Sequence, residues 1–352
     1  MNIFIKIVIK KYGLRAPFGA YLTFVVVFWL YYCIIYIDKQ KRKVDFMGNY
    51  YIKRLISVFF TIILIATITF FLMRAIPGGP FTRERPVSPA ILENLEKKYN
   101  LDDPLIIQYL NYMKGLATFD LGPSFKILGT SVNELIVEGF PTSAKIGGLA
   151  ALLIVSIGVP IGIISALKQN SILDYIVMFG ATLGVTLPSF VVATGIIYIF
   201  AVKFELLPPT GLGSWKGYIG PVIALSGYSL SFVARLTRSS MLEVLRQDYV
   251  RTARANGISE FKVIAKHALK NALIPVITYV GPMIAAILTG SFVIEKVFDL
   301  PGMGTYFVDS VSNRDYTVII GMTVFYAAFY VIMVFLVDVA YSLIDPRIKL
   351  DS

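Results

Sequence analysis

The chain has 352 residues, 56% hydrophobic and 16% charged, with a mean hydropathy of +0.71. Soluble domains carry about 25% charged residues, and a soluble core could not hide this much apolar surface; the composition requires the bilayer as solvent, each crossing taking about 20 mostly apolar residues. A formal net charge of +11 would raise nucleic acid as a partner of a soluble protein, but here the basic residues gather in particular loops, the pattern of the cytoplasmic side of membrane proteins.

In chain order, Pro17 to Ile37 is apolar enough to span, lacks a small-residue cleavage site and is too long for a signal-peptide core. It reads as an extra, uncleaved helix in an extension over residues 1–47, with its N-terminus outside. The alternative is that Met47 is the true start, because Met47-Gly48-Asn49-Tyr50-Tyr51-Ile52-Lys53-Arg54 itself reads as the beginning of a membrane protein.

The second domain, 48–352, opens with the clearest span, 55–73, whose Ser57, Thr61, Thr67 and Thr69 can bond back to their own helix. Lys53 and Arg54 precede it and join Lys39, Lys41, Arg42 and Lys43, which marks that end as cytoplasmic. Residues 74–142 form a polar region with nearly balanced charge, suited to the external side. Within it Ser88 and Pro89 start a short helix ending near Asn100, and Asp103 and Pro104 start another toward Leu116.

Further spans are expected at about 143–166, 175–203, 218–238, 273–294 and 318–343, giving six with the first. Pro160, Pro188, Pro275 and the Gly281-Pro282 pair should kink or break them. Lipid tolerates such breaks only where neighbouring helices or a cavity satisfy the freed backbone. Gly147, Gly148, Gly158, Gly180, Gly184, Ala285, Ala286 and Gly290 permit close helix contact; each alone means tight packing, and together they suggest a bundle with a pathway. The loop over 239–272 carries Arg246, Arg251, Arg254, Lys262, Lys266 and Lys270 against Glu243, Asp248 and Glu260, so it is cytoplasmic. Glu295 to Thr317 is mildly acidic and external, and the tail with Arg347 and Lys349 returns to the cytoplasm. The fold class is all-α, polytopic.

Little in the chain could do bond chemistry. No Gly-Lys dipeptide exists, so the phosphate-cradling GxxxxGK[ST] loop is absent. Cys33 is the only cysteine and His267, beside Lys266, the only histidine, which excludes an intrachain disulfide, a cysteine metal site and paired-histidine metal sites. Asp338 lies inside the last span within two turns of its cytoplasmic end, where pairing to a neighbouring helix or snorkelling explains it better than a proton relay.

The informative segment is Asp248 to Asn271. Asp248 can cap a short helix through Tyr249, Arg251 and Ala253; Asn256-Gly257 can end it in the left-handed conformation; Ser259 and Glu260 open a second helix leading to Pro275. A stubby helix held between two membrane helices can carry motion from a soluble partner to the bundle. The competing reading is a basic helix resting on anionic headgroups.

Several runs occur in one order along nearly the whole chain. They are Arg74-Ala75-Ile76-Pro77-Gly78; Asp120-Leu121-Gly122 with Ser124; Phe140-Pro141-Thr142; Gln247 through Gly257; His267-Ala268-Leu269-Lys270-Asn271-Ala272-Leu273-Ile274-Pro275; then Glu295, Phe298, Pro301-Gly302, Gly304, Arg314-Asp315-Tyr316 and Asp345-Pro346-Arg347-Ile348. From about Met47 onward the chain resembles the dipeptide, oligopeptide and nickel permease family of ABC importers. The resemblance implies a six-helix type I importer domain plus the extra N-terminal helix. It implies a multi-pass protein of a prokaryotic cytoplasmic membrane that imports peptides without enzymatic activity of its own. It makes Asp248, Tyr249, Arg251, Thr252, Ala253, Ala255 and Gly257 the coupling helix that docks on an ATPase subunit, with Ala253 and Ala255 allowing close approach. Gate or pathway candidates are Asp120, Gly122, Pro188, Pro275, Gly281 and Pro282.

The implied partners are a second homologous permease, two cytoplasmic ATPase subunits, an extracytoplasmic substrate-binding protein delivering cargo near 74–142, and membrane lipid, with no nucleic acid. No cofactor is expected in this chain, ATP and Mg being bound by the ATPase partners. Arg251-Thr252-Ala253 stands where the general signature has Glu and two Ala, as in the peptide subclass; Phe119 and Lys145 depart from a common Gly and a usual apolar residue. The rival reading, a secondary transporter or channel acting alone, would need ionisable groups at mid-depth.

Overall fold

The structure, a computed structural model, describes residues 47–77, 79–81 and 89–344. The helix expected at 17–37 and the tail run Asp345-Pro346-Arg347-Ile348 lie outside the described residues. Among the described residues, five helices are long and apolar enough to cross a membrane, and a bent pair makes a sixth if it counts as one span.

Helix α1 (Met47–Ala75) packs on the last helix, and α2 (Pro89–Lys98) and α3 (Leu105–Ala117) follow it. Pro104, not Asp103, is the N-cap of α3. The second span starts at Val132, eleven residues before the expected 143. Its apolar run does begin near 143, but a capping box sets the true start: Glu134 N donates to Ser131 Oγ at 3.2 Å and Ser131 N donates to Glu134 Oε2 at 3.0 Å. This span is α4 (Val132–Leu153), a π-turn over Ile154–Gly158 and α5 (Val159–Leu167), and the extra residue of the π-turn takes up the carbonyl clash that Pro160 would otherwise impose.

The expected span 175–203 is two helices, α6 (Ile172–Thr186) and α7 (Ser189–Ile196), the latter extended by a π-turn to Lys203, and they meet at 106°. Leu187 is extended (φ −77°, ψ 126°), the conformation favoured before proline, and the chain turns at Pro188 rather than bending. Helix α8 (Ile219–Leu245) runs past the expected end at 238, and α9 (Asp248–Ala255) follows.

The fifth span was expected at 273–294 and instead covers Glu260–Leu288. A helical turn (Glu260–Lys262) and a π-turn (Val263–Ala268) lead into α10 (Leu269–Leu288), and Gly290 at φ +86° follows its end. Pro275 and Pro282 do not break α10. Packing of α10 against α4 and α8 holds it in line despite the two missing hydrogen bonds. That packing is close: a Cβ on Gly147 would sit 2.3 Å from the carbonyl oxygen of Ile287. Gly147→Val is expected to push the two spans apart and cost about 1–3 kcal/mol through overpacking, read as a lowered melting temperature of the detergent-purified protein; an unchanged melt would contradict the contact.

Two short helices, α11 (Phe292–Val297) and α12 (Met303–Asn313), fill the loop before α13 (Tyr316–Ile344). Motif residues far apart in sequence meet here. Asp315, 2% exposed, accepts from Ser124 Oγ at 2.5 Å and from the backbone N–H of Phe125 at 3.1 Å. Glu295, 1% exposed, accepts from Gly304 N at 2.7 Å and Ser291 N at 3.2 Å, while Ser143 of α4 accepts from Met303 N at 3.0 Å. A Cβ on Gly290 or Gly302 would lie 2.2 Å from a Glu295 oxygen, so these glycines make the carboxylate's space.

Burial pushes the Glu295 carboxyl above the ordinary glutamate range, and its hydrogen bonds only partly offset this. A folded-state value above the unfolded one means the folded protein holds the proton more tightly, so this contribution is fully present at low pH and is lost as pH rises through the folded value. Thermal unfolding at pH 5 and pH 8 should therefore show a stability loss at the higher pH that is smaller in Glu295→Gln. Equal slopes in the two proteins would refute it.

Candidate ATPase-coupling site

Two residues separate the end of α8 from α9, and Gln247 occupies the N-cap with extended backbone (φ −71°, ψ 149°) and no side-chain cap. Asp248 is therefore the first helical residue rather than the cap. Its carboxylate complements the N-terminal end of the helix dipole and lies 3.7 Å from Arg251 Nη1, both side chains being 70% exposed or more. The other end forms as its chemistry requires: Gly257 adopts φ +73°, and its N–H donates to Arg254 O at 3.0 Å.

The eight residues divide between two faces. Val250 and Ala253 are buried in a small cluster with Val263, packed by Val244, Leu245 and Ile258. Asp248, Tyr249, Arg251, Thr252, Arg254 and Ala255 are exposed, as is Gly257 just beyond the helix. Ala253 was expected on the docking face; it faces inward at 5% exposure, because the helical period places it with Val250. Of the two small residues proposed to allow close approach, Ala255 alone is on the outer surface.

Side chains tie α9 to the fifth span. Arg254 donates two hydrogen bonds to Glu260, at 3.0 and 2.7 Å, and this partner raises the guanidinium's already high pKa. Asn271 Nδ2 donates to Tyr249 Oη at 2.8 Å. The first pair is well exposed and contributes at most about 1 kcal/mol; its use is geometric, fixing the turn between α9 and the span. Helix α9 is thus joined to both α8 and α10.

One constellation escaped the sequence reading. Asp174 of α6, 2% exposed, takes Arg238 of α8 through two hydrogen bonds of 2.7 Å, and also accepts from Ser165 Oγ at 2.5 Å and Asn170 N at 3.0 Å. Both charges stand inside helices of candidate spans in the structure, whereas the expected third span, 175–203, leaves Asp174 just outside it. Asp338 itself pairs with Arg54 of α1, which agrees with the expectation of a neighbouring-helix partner. Among the described residues no group of three or more His, Cys, Asp or Glu could hold a metal ion.

Residues 158–350 match the family described as binding-protein-dependent transport system inner membrane component, and residues 47–146 match its N-terminal region. The dipeptide transport system permease protein DppB of Bacillus subtilis is 52% identical over 304 residues, 86% of this chain and 99% of that protein. The oligopeptide transport system permease protein OppB of Salmonella typhimurium is 46% identical over 305 residues, 86% of this chain and all of that protein. The chain belongs to this family of inner membrane transport components.

In this transport component the gate candidates do not converge on one place. Asp120 and Gly122 form the turn that enters the second span: Gly122 N donates to Asp120 Oδ1 at 2.9 Å, Val132 N donates to Gly122 O at 3.0 Å, and Gly122 has φ +86°. Pro188 makes the bend of the third span. Pro275, Gly281 and Pro282 share α10, where Gly281 helps line an apolar cavity of about 310 Å³ with Val155, Val159, Val276 and Val337. Lys145 of α4 sits 4.4 Å over the ring of Tyr218 and donates to its hydroxyl at 3.1 Å, which accommodates a cation where an apolar residue is usual.

Proposed function

We propose that this chain is the permease half of a peptide importer, working with a second permease, two cytoplasmic ATPase subunits and an external substrate-binding protein. Peptide cargo is supported by the dipeptide and oligopeptide permeases that share about half of its residues over their whole length. ATPase coupling is supported by one observation above all: α9 is pinned on its inner face while Asp248, Arg251, Thr252 and Ala255 remain open on its outer face. ATP and Mg would be bound by the partners, and this chain contributes transmission of their movement.

The test is co-purification from native membranes in mild detergent, followed by reconstitution with the recovered subunits and labelled di- and oligopeptides. ATP-dependent peptide uptake that requires the binding protein is the expected result. Recovery of the chain alone, transporting on an ion gradient, would overturn the reading.

A further inference from the structure

Helix α3 has no buried residue along its thirteen, an odd state for a helix fixed at both ends of an external segment. Its inner side is well anchored. Tyr109 stacks on Phe71 with ring centroids 5.3 Å apart, Tyr112 stacks on Phe70 at 5.5 Å, and the Thr67 and Tyr109 hydroxyls are hydrogen-bonded at 2.9 Å. About a quarter turn around the helix from the two tyrosines run Ile106, Leu110, Met113 and Ala117 at i, i+4, i+7 and i+11, one continuous helical stripe in which Met113 is half-buried. Ile106 is 58% and Leu110 59% exposed, and Ile107 beside them is 42% exposed.

The depth of the anchor decides what covers this stripe. Arg54 and Lys53 mark the cytoplasmic border of α1. Phe70 is sixteen residues further on, about 24 Å at the helical rise, within a hydrocarbon layer of about 30 Å. Phe71 and Leu72, also exposed on α1, continue the apolar surface of that span directly to the ring of Tyr109. Lys114, exposed at the edge of the α3 stripe, has a stem long enough to lift its ammonium to the headgroups.

We infer that α3 is an interfacial membrane helix, its Ile106-Leu110-Met113-Ala117 stripe sunk into the outer leaflet at the boundary of headgroups and acyl chains, rather than part of an aqueous external domain. Continuity with the lipid-facing surface of α1 carries the assignment, and helices of this type bury their apolar face about 5–10 Å into that boundary. The helix would then fix the level of the whole external segment against the membrane. The inference rests on the membrane placement alone and stands or falls independently of cargo.

Site-directed spin labelling of the full chain in lipid nanodiscs tests it, on a Cys33→Ala background with single cysteines at Ile106, Leu110, Asn111 and Met113. Phe60→Cys on exposed α1 is the lipid reference and Asp248→Cys the aqueous one. Labels at 106, 110 and 113 should be reached by oxygen at least threefold more readily, relative to a water-soluble nickel chelate, than the label at 111. Preferential access of the chelate at 106 and 110 would place the stripe in water and overturn the inference. Low access of both reagents would place a protein partner there and overturn it equally. Should one variant fail to purify, the remaining pair at i and i+4 gives the same reading.

Discussion

Arg251→Glu should cut ATP-driven uptake by at least about tenfold while leaving the amount and melting temperature of the chain unchanged. Arg251 is 70% exposed and, among the described residues, has only the neighbouring Asp248 carboxylate within ion-pair reach, so its loss is expected to leave the fold intact. Arg is among the residues that most often form binding hot spots, whose loss costs about 2 kcal/mol or more, and each 1.4 kcal/mol is a factor of ten. The neighbouring buried position separates docking from folding. Val250→Asp, at a fully buried site in the α9 cluster, should lower stability and uptake together, because an unpaired carboxylate would be forced into an apolar space. Measured ATPase activity in the reconstituted complex completes the comparison. If Arg251→Glu transports normally and binds the ATPase subunits as tightly as the parent, α9 is not the coupling element.

The second large effect is expected at Arg238. Replacing it by methionine, close in length and apolar, leaves the Asp174 carboxylate 2% exposed with only Ser165 Oγ and Asn170 N as donors. Removing one partner of a buried ion pair typically costs about 3–5 kcal/mol, because the remaining charge is uncompensated. The pair ties α6 to α8 on the approach to α9, so the damage should reach uptake as well as the melting temperature. Exchanging both partners, Asp174→Leu with Arg238→Met, should recover much of the stability, since an apolar pair avoids the desolvation cost of both ions. A double variant no more stable than Arg238→Met would show that the network's hydrogen bonds, rather than its charges, hold the two helices.

Sequence alone determined most of the architecture here for a simple reason: the bilayer imposes a length of about 20 apolar residues on every crossing, and polar backbone cannot be left open in lipid. Those two constraints are local, so runs of apolar residues were sufficient to find the spans, though not where each begins and ends. The turn chemistry of the coupling segment was local as well. Gly257 takes the left-handed conformation expected of it, and Glu260 opens the following helix.

Tertiary structure decided whatever depended on partners distant in the chain. The start of the second span is the exception, since its capping box joins Ser131 to Glu134 three residues on and is legible in the sequence. Pro188 turns its span through 106° while Pro275 and Pro282 leave α10 unbroken, because the packing around each proline, and not the proline, settles how the missing hydrogen bond is absorbed. The inward turn of Ala253 depends on the cluster with Val263. The pairs Ser124 with Asp315 and Asp174 with Arg238 join positions 191 and 64 residues apart, and no periodicity in one segment can announce a partner in another.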